Sequence, residues 1–345
     1  MFWYVFKHYT KNMLIILLAL SFLFTGLDFL IGGSRLSSFN IKVLYIFNRW
    51  EESLNLLYPL AIIFGGIWTK ISFIKNNTLG ALYALGVSRG ELFRPFFTLS
   101  ILTYFIFVGL NFTDFAKASD IANSIKKHQY KNQNTNELFF KYNSSFVYIK
   151  RLIPEDKRIE GLTIFILNGD KVVEVQEAKE AKYINSHWIA TDILVKKIID
   201  NRLKIEKLDM IETLKEYNPK ILNSIYENKK LTLYESLIAK KLLSTQGVKT
   251  YKVRAEVYNR TIIPLFSIAL LMILLFRFPF HARYINIVNI TTKALGGTLF
   301  IWGLLFASYR MGLNGVILPE IAIISPIIAL WVYAIYSLIG SKNRI

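Results

Sequence analysis

Long apolar runs alternate with one extended polar stretch along this chain. Three apolar runs lie before residue 113 and three lie after residue 253. Each run is close to the roughly 20 apolar residues that a helix needs to cross the hydrocarbon core of a bilayer. The pattern therefore predicts six membrane spans in a three-plus-three arrangement, at residues 13–31, 54–74, 96–112, 257–276, 285–309 and 319–339.

The polar stretch between the two sets of spans has a different periodicity. β-Branched and aromatic residues alternate in part with polar residues at 145–150, 161–167, 171–176 and 187–199. Turn signals such as residues 168–170 separate these segments, and no helical pattern intervenes. Short strands in this order predict an antiparallel sandwich or a jelly-roll-like sheet. Thr232 and Glu235 then form a capping-box pattern, which predicts a helix through about Ser244.

Basic residues collect on one side of the predicted spans. They are Lys7 and Lys11 before span one, Lys70, Lys75, Arg89 and Arg94 around the second connection, Arg277, His281 and Arg283 between spans four and five, and Lys342 and Arg344 at the C-terminus. Because Lys and Arg are retained on the cytoplasmic side of a membrane, both termini are expected in the cytoplasm. The β domain is then expected on the opposite side.

These patterns divide the chain into three parts. Residues 1–112 contain spans one to three, with a short helix at 77–88 on the cytoplasmic side. Residues 113–253 form the β domain, and residues 254–345 contain spans four to six. The predicted fold is an α-helical membrane protein with six transmembrane helices and an inserted periplasmic β-jelly-roll-like domain.

Composition narrows the classes of partner. The chain has 345 residues, of which 53% are hydrophobic, and a formal net charge of +18. The Lys and Arg residues are dispersed and form no nucleic-acid motif, so anionic lipid headgroups or an anionic amphiphilic substrate explain the charge better. The absence of cysteine from the sequence excludes disulfides, thiolate metal sites and cysteine nucleophiles. His128 and His187 stand apart from acidic clusters, so no metal site is expected.

The segment at 77–88 reads N-T-L-G-A-L-Y-A-L-G-V-S and lies between spans two and three. Leu79, Leu82 and Leu85 recur at three-residue spacing, and Gly86 is expected to end the helix. One apolar face of such a helix is suited to a groove on a soluble partner. An amphipathic helix lying on the membrane surface is the alternative interpretation.

An ordered set of local sequences along nearly the whole chain resembles the LptF/LptG permease family. The set comprises Asp28 near the end of span one, Pro59 with Gly65 and Gly66 in span two, A-L-Y-A-L-G-V-S at 81–88, F-V-Y-I at 146–149, G-L-T-I-F at 161–165, Tyr251, Glu256, Arg260 and Pro264 where the chain re-enters the membrane, and G-x-x-G-x-x-L-P at 312–319 with Pro326. The F-V-Y-I segment followed by a glycine-led strand is more like LptG than LptF.

The resemblance implies a transport subunit of the bacterial inner membrane. Such a subunit extracts lipopolysaccharide, pairs with a homologous LptF/LptG-type subunit, and passes the lipid to LptC- and LptA-type jelly-roll proteins in the periplasm. A dimeric LptB-type ATPase would bind and hydrolyse ATP with Mg. This sequence has no phosphate-binding loop, so the chain itself is expected neither to be an enzyme nor to bind a cofactor. A non-transporting membrane adaptor or sensor with a periplasmic ligand-binding domain is the alternative function.

The resemblance also identifies 77–88 as a coupling helix. Its candidate contact residues are Thr78, Leu79, Leu82, Leu85, Gly86 and Ser88. Similar proteins carry an acidic residue early in this helix for an arginine of the ATPase, and Thr78 stands in that place here. Docking is therefore expected to depend on the leucines and the terminal glycine.

Ionisable residues near span ends are candidates for substrate binding, because charged groups inside membranes are costly. A lipopolysaccharide cavity needs apolar walls and cations for phosphates. The candidates are Asp28, the rim cations Arg35, Lys42 and Arg310, and the wall residues Trp302, Phe306 and Tyr309. Snorkelling, or internal pairing such as Glu256 with Arg260, is the alternative for these groups.

In the β domain, an apolar groove is expected to continue toward the next jelly-roll protein by edge-to-edge strand addition. Its candidate wall residues are Phe146 and Tyr148 on one predicted strand and Ile164 and Ile166 on the next.

Overall fold

The structure is a computed structural model, and it describes residues 1–36, 38–127, 135–143, 145–169, 171–199, 202–215, 217–219, 230–245, 248–277 and 287–342. Several residues used in the sequence analysis lie outside these ranges: His128, residue 170, His281, Arg283, residue 285 and Arg344. The chain divides into two compact units, one of Met1–Ala122 with Tyr251–Ile345 and the other of Asn123–Thr250.

The first unit is helical. Its helices are α1 (Phe2–Ile31), α2 (Phe39–Lys75), α3 (Thr78–Ala84), α4 (Arg89–Leu110), α5 (Ala118–Lys126, which continues into the second unit), α7 (Tyr251–Thr261), α8 (Leu265–Arg277), α9 (Ile287–Leu313) and α10 (Ser325–Lys342). Within the described residues, six helical segments are long and apolar enough to cross a membrane: Phe2–Ile31, Phe39–Lys75, Arg89–Leu110, Tyr251–Arg277, Val288–Leu313 and Glu320–Ile339. The six predicted spans are confirmed.

Helix α2 begins earlier than the hydropathy pattern indicated. It starts at Phe39 and has 37 residues, which corresponds to roughly 55 Å at 1.5 Å per residue. A bilayer core is only about 30 Å thick. The polar residues from Asn40 to Glu52 interrupt the apolar run but not the helix, so hydropathy located the membrane segment and missed the extension.

The fourth and sixth spans are not single regular helices. Pro264 lies in the turn at residues 262–264 that separates α7 from α8, and proline has no N–H to donate to the preceding helical turn. The sixth span begins with a π-helical turn at Glu320–Ile324, and α10 follows directly at Ser325. Both spans carry polar side chains that bond to other helices, as described below.

The second unit contains a six-stranded antiparallel sheet inserted between the two sets of spans, as predicted. Its strands are β1 (Thr135–Tyr142), β2 (Ser145–Ile153), β3 (Arg158–Asn168), β4 (Lys171–Ile184), β5 (His187–Ile199) and β6 (Arg202–Thr213). Each strand pairs with the next one in the sequence, so the described strands form an up-and-down meander. The patterns predicted β2 to β5 but missed β1 and β6, whose charged residues obscure the alternation.

Helix α6 (Leu233–Thr245) begins at the predicted capping box. The Thr232 backbone N–H donates to the Glu235 carboxylate at 2.9 Å, and the Glu235 backbone N–H donates to the Thr232 hydroxyl at 3.2 Å. These reciprocal bonds satisfy two N–H groups that a helix start otherwise leaves without partners.

A crease crosses the first five strands of the sheet. One row of buried cross-strand neighbours is Leu138, Ile149, Leu162, Ala178 and Ile193, and the next buried row is Thr135, Leu152, Ile159, Ala181 and Ala190. Two unburied residues separate the rows on every strand, where strict alternation would leave one. Left-handed backbone at Glu137, Gly161 and Asp192 accommodates the extra residue, with φ of 55°, 71° and 54°. Because each strand has an extra residue at the crease, the buried residues on both sides of the crease lie on the same face of the sheet.

Gly161→Ala is expected to lower the free energy of unfolding of the β domain by about 2–3 kcal/mol. An alanine at φ 71° costs about 1 kcal/mol, and its Cβ would lie 2.8 Å from the Lys150 Cβ. Gly169→Ala is the control, because Gly169 has φ 63° but no atom within 4 Å of an added Cβ. Hydrogen exchange of the β2 and β3 amides in the full chain measures the difference, and equal effects of the two substitutions would contradict the role of the crease.

Candidate functional site

The short helix α3 is set off by left-handed residues at both ends. Asn77 has φ 55° just before the helix, and Gly86 has φ 81° just after it. Gly86 therefore ends the helix as predicted from its conformational freedom. Ser88, a candidate contact residue, also caps α4: its hydroxyl accepts from the Glu91 N–H at 3.2 Å, and the Glu91 carboxylate accepts from the Ser88 N–H at 2.9 Å.

The three leucines of α3 do not share one outward face. Leu79 is 1% exposed and belongs to the core of the helical unit, Leu82 is half-buried against that core, and Leu85 is 80% exposed. Leu79 therefore anchors α3 to its own chain and is not available to a partner. Around Leu85, the outward side of α3 consists of the exposed small residues Gly80, Ala81 and Ala84, while Thr78 is half-buried.

The inner side of α3 faces three membrane helices across a small cavity. Leu79 and Tyr83 line a small cavity together with Phe73 of α2, Leu92 of α4 and Phe276 of α8. Burial raises the pKa of Tyr83 to about 12, although the charge of Arg89 opposes that shift, so the phenol stays protonated at neutral pH.

Beside this cavity, the ammonium of Lys70 on α2 donates a hydrogen bond to the backbone carbonyl of Leu275 on α8. Lys70 is only 4% exposed. Residues of α3, α2, α4 and α8 thus line one cavity, and a hydrogen bond beside it joins α2 to α8.

Asp28, a candidate for the substrate cavity, is engaged inside the chain. Its carboxylate accepts from the Arg49 Nε at 2.9 Å and from the Tyr45 hydroxyl, and Arg49 also bonds to Glu52. The Arg49 side chain is 10% exposed and that of Asp28 is 24% exposed. Asp28 thus makes internal contacts between α1 and α2, as in the alternative of internal pairing.

Sequence reasoning missed Arg49. In the sequence, Arg49 is marked only by Tyr45, which lies four residues earlier on the same face of α2. Its partner Asp28 lies 21 positions earlier on another helix, so a local pattern does not connect the two residues. The same helix pair is joined by further polar contacts, including Trp50 Nε1 donating to the Ser21 hydroxyl at 3.1 Å and the Thr25 and Ser53 hydroxyls 3.3 Å apart.

A second polar cluster joins spans four, five and six. The Tyr309 hydroxyl donates to the Glu256 carboxylate at 3.0 Å, and Arg260 lies 3.6 Å from the same carboxylate. On the other side of α7, Arg254 pairs with Glu320 of the π-helical turn at 2.6 Å. Tyr309 is only 7% exposed, so it is part of this cluster and not an open cavity wall.

The remaining cavity candidates fall into two groups. On α9, the Arg310 guanidinium lies 5.8 Å from the centre of the Phe306 ring, both side chains are exposed, and Trp302 is half-buried one turn away. Arg35 is exposed in the turn after α1, and Lys42 is half-buried in the first turn of α2. Arg310 with Phe306 and Trp302 thus forms a cationic and aromatic surface on span five.

The four candidate groove residues of the β domain do not all lie on one face of the sheet. Phe146 pairs with Phe165 and Tyr148 pairs with Thr163, whereas Ile164 pairs with Val147 and Ile166 pairs with Ser145. Successive residues of a strand point to opposite faces. Phe146 and Tyr148 therefore lie on one face of the sheet, and Ile164 and Ile166 lie on the other, together with the fully buried Val147.

The family comparison agrees with this architecture. The model for "Lipopolysaccharide export system permease LptF/LptG" matches residues 3–340, which is nearly the whole chain. The chain belongs to the LptF/LptG family. No curated protein matches it.

Membership assigns the chain to the permeases of lipopolysaccharide export rather than to enzymes. An LptF/LptG permease with six apolar helices is a multi-pass protein of the inner membrane.

Proposed function

We propose that this LptF/LptG-type subunit extracts lipopolysaccharide from the inner membrane and passes it to a periplasmic bridge of jelly-roll proteins. The pairing of Arg310 with Phe306 on the exposed side of span five carries this proposal. The guanidinium supplies charge-assisted hydrogen bonds for a phosphate, and the neighbouring aromatic ring supplies apolar contact for acyl chains. The exposed Arg35 and the half-buried Lys42 supply further cations.

The orientation follows from the distribution of basic residues. Both termini and α3 lie in the cytoplasm, and the β domain lies in the periplasm. A homologous LptF/LptG-type subunit completes the transport path, and LptC- and LptA-type proteins receive the lipid from the β domain. Exposed apolar side chains on β6, among them Leu203 and Ile205, support strand addition at that edge.

Energy for extraction comes from a dimeric LptB-type ATPase that binds ATP and Mg and docks on the outward side of α3. Leu85 and the small residues Gly80, Ala81 and Ala84 form the docking surface. Small residues allow close approach of a partner, and an exposed leucine is suited to an apolar pocket. An acidic residue is absent from this surface because Thr78 takes its place, so the contact is mainly apolar.

Leu85→Glu is expected to weaken binding of the ATPase by at least about tenfold. It replaces an apolar side chain that the bound ATPase buries with a charge that has to be desolvated on binding. Thr78→Glu introduces the same charge into the same helix but restores the acidic residue of related proteins. It is expected to preserve or strengthen binding. The measurement is the affinity of purified ATPase for the membrane complex, together with the rate of lipopolysaccharide release.

Equal loss of binding in both variants would show that added charge alone is responsible. Unchanged binding after Leu85→Glu would refute docking through this surface and would support a membrane-surface role for α3. Co-purification tests the wider proposal, because a non-transporting adaptor or sensor would recover neither the ATPase nor a homologous six-span subunit.

A further inference from the structure

A cavity of about 360 Å³ lies between the last turn of α2 and the first turns of α9. It is separate from the cationic and aromatic surface of α9, because it involves the opposite end of that helix. Its polar lining is contributed by Ser72, Lys75, Asn76, Thr291 and Thr292. One ammonium and several hydroxyl and amide groups can donate hydrogen bonds there, which is the donor set that a phosphodiester requires.

The charge around the cavity favours an anion. Lys75 is exposed at its edge, and the exposed Lys293 directly follows Thr292. The sequence contains no Asp or Glu between residues 53 and 90 or between residues 257 and 319. The two helices that form the cavity therefore bring no carboxylate from these segments to compete with a bound phosphate.

The apolar part of the lining points to a lipid. Trp68, Ile71 and Val288 complete the cavity, and Trp68 and Val288 are 62% and 74% exposed. Lys75 is the last residue of one span and Val288 the first residue of another. Tryptophan near a span end is typical of the membrane interface, where headgroups meet acyl chains.

We propose that this cavity binds an anionic phospholipid, with its phosphodiester at Lys75, Ser72 and Thr292 and its acyl chains against Trp68 and Val288. The bound phospholipid is a resident of the permease and not its cargo. Helix α2 ends at Lys75 and α3 begins at Thr78. A phospholipid bound at Lys75 and Asn76 therefore restrains the short connection between α2 and α3.

Native mass spectrometry of the full chain in detergent tests the proposal, with phosphatidylglycerol and phosphatidylcholine of identical acyl chains as probes. The unmodified chain is expected to retain phosphatidylglycerol about tenfold better, because both lipids carry the phosphodiester but Lys75 and Lys293 repel the choline cation of phosphatidylcholine. Lys75→Gln combined with Thr292→Val is expected to abolish that preference. Lys11→Gln is the matched control, because Lys11 is an exposed lysine outside the cavity, and it is expected to preserve the preference.

Three results would overturn the proposal. The first is an undiminished preference in the Lys75→Gln, Thr292→Val variant. The second is displacement of phosphatidylglycerol by millimolar inorganic phosphate alone, which would identify a site for free phosphate. The third is a parallel loss of lipopolysaccharide binding in the same variant but not in Lys11→Gln, which would assign the cavity to the transported substrate.

Discussion

Gly65→Ala is expected to destabilise the helical unit by about 2–3 kcal/mol, because it would force α1 away from α2. A Cβ at residue 65 would lie 2.7 Å from the Cα and 2.9 Å from the Cβ of Met13. Overpacking a well-packed core typically costs about 1–3 kcal/mol. The cost is expected to reach the upper end here, since the obstacle is a helix backbone and cannot change rotamer. Gly65→Val should be worse still.

The same close approach positions hydrogen bonds between helices. The Tyr9 hydroxyl donates to the Ile62 carbonyl at 2.9 Å, and Asn12 Nδ2 donates to the Thr69 hydroxyl at 2.9 Å. These bonds lie one turn either side of the contact between Gly65 and Met13. Separating the helices would lengthen them in an environment where water cannot replace the lost partner.

Thermal unfolding of the full chain in mild detergent measures the effect. Gly26→Ala is the matched control in α1, because an added Cβ at residue 26 meets nothing within 4 Å. That substitution should be neutral or stabilising, since alanine is favoured over glycine in helices by about 1 kcal/mol. A Gly65→Ala variant as stable as Gly26→Ala would show that α1 and α2 do not require the close contact.

The sequence predicted the order of spans and the inserted β domain well, because apolar runs of about 20 residues and the period-two alternation are local signals. Gly65 and Gly66 were also among the residues that carry the family resemblance. The sequence did not reveal that these glycines meet Met13 and Leu271, since both contacts are between distant segments.

The candidate sites were predicted less well, for two different reasons. The opposite faces of Phe146 and Ile164 could have been inferred from alternation within each strand together with hairpin pairing. Leu79 and Asp28 could not have been assigned in this way. Whether Leu79 points inward depends on how α3 packs against α2, α4 and α8, and the engagement of Asp28 depends on Arg49 in another helix.

Arg49→Met is expected to lower the stability of the helical unit by about 3 kcal/mol, the low end of the range for breaking a buried ion pair. It leaves Asp28 with the Tyr45 hydroxyl and partial exposure, which reduces the loss. Asp28→Asn should cost less, about 1–2 kcal/mol, because Arg49 keeps Glu52 as a charged partner. The asymmetry between the two single substitutions follows from Arg49 having two acidic partners where Asp28 has one basic partner among these contacts.

The double variant Asp28→Asn, Arg49→Met completes a double-mutant cycle. Its loss should be smaller than the sum of the single losses by about 1–2 kcal/mol, because the contact between the two side chains is lost only once. Arg310→Met is the control for removing an exposed arginine and should leave thermal unfolding unchanged. Additive single losses would show that the contact between Asp28 and Arg49 contributes nothing to stability. A coupling of the expected size would mean that Asp28 serves to join α1 to α2. The cationic side chains that bind the substrate would then have to be sought on the exposed surface of span five.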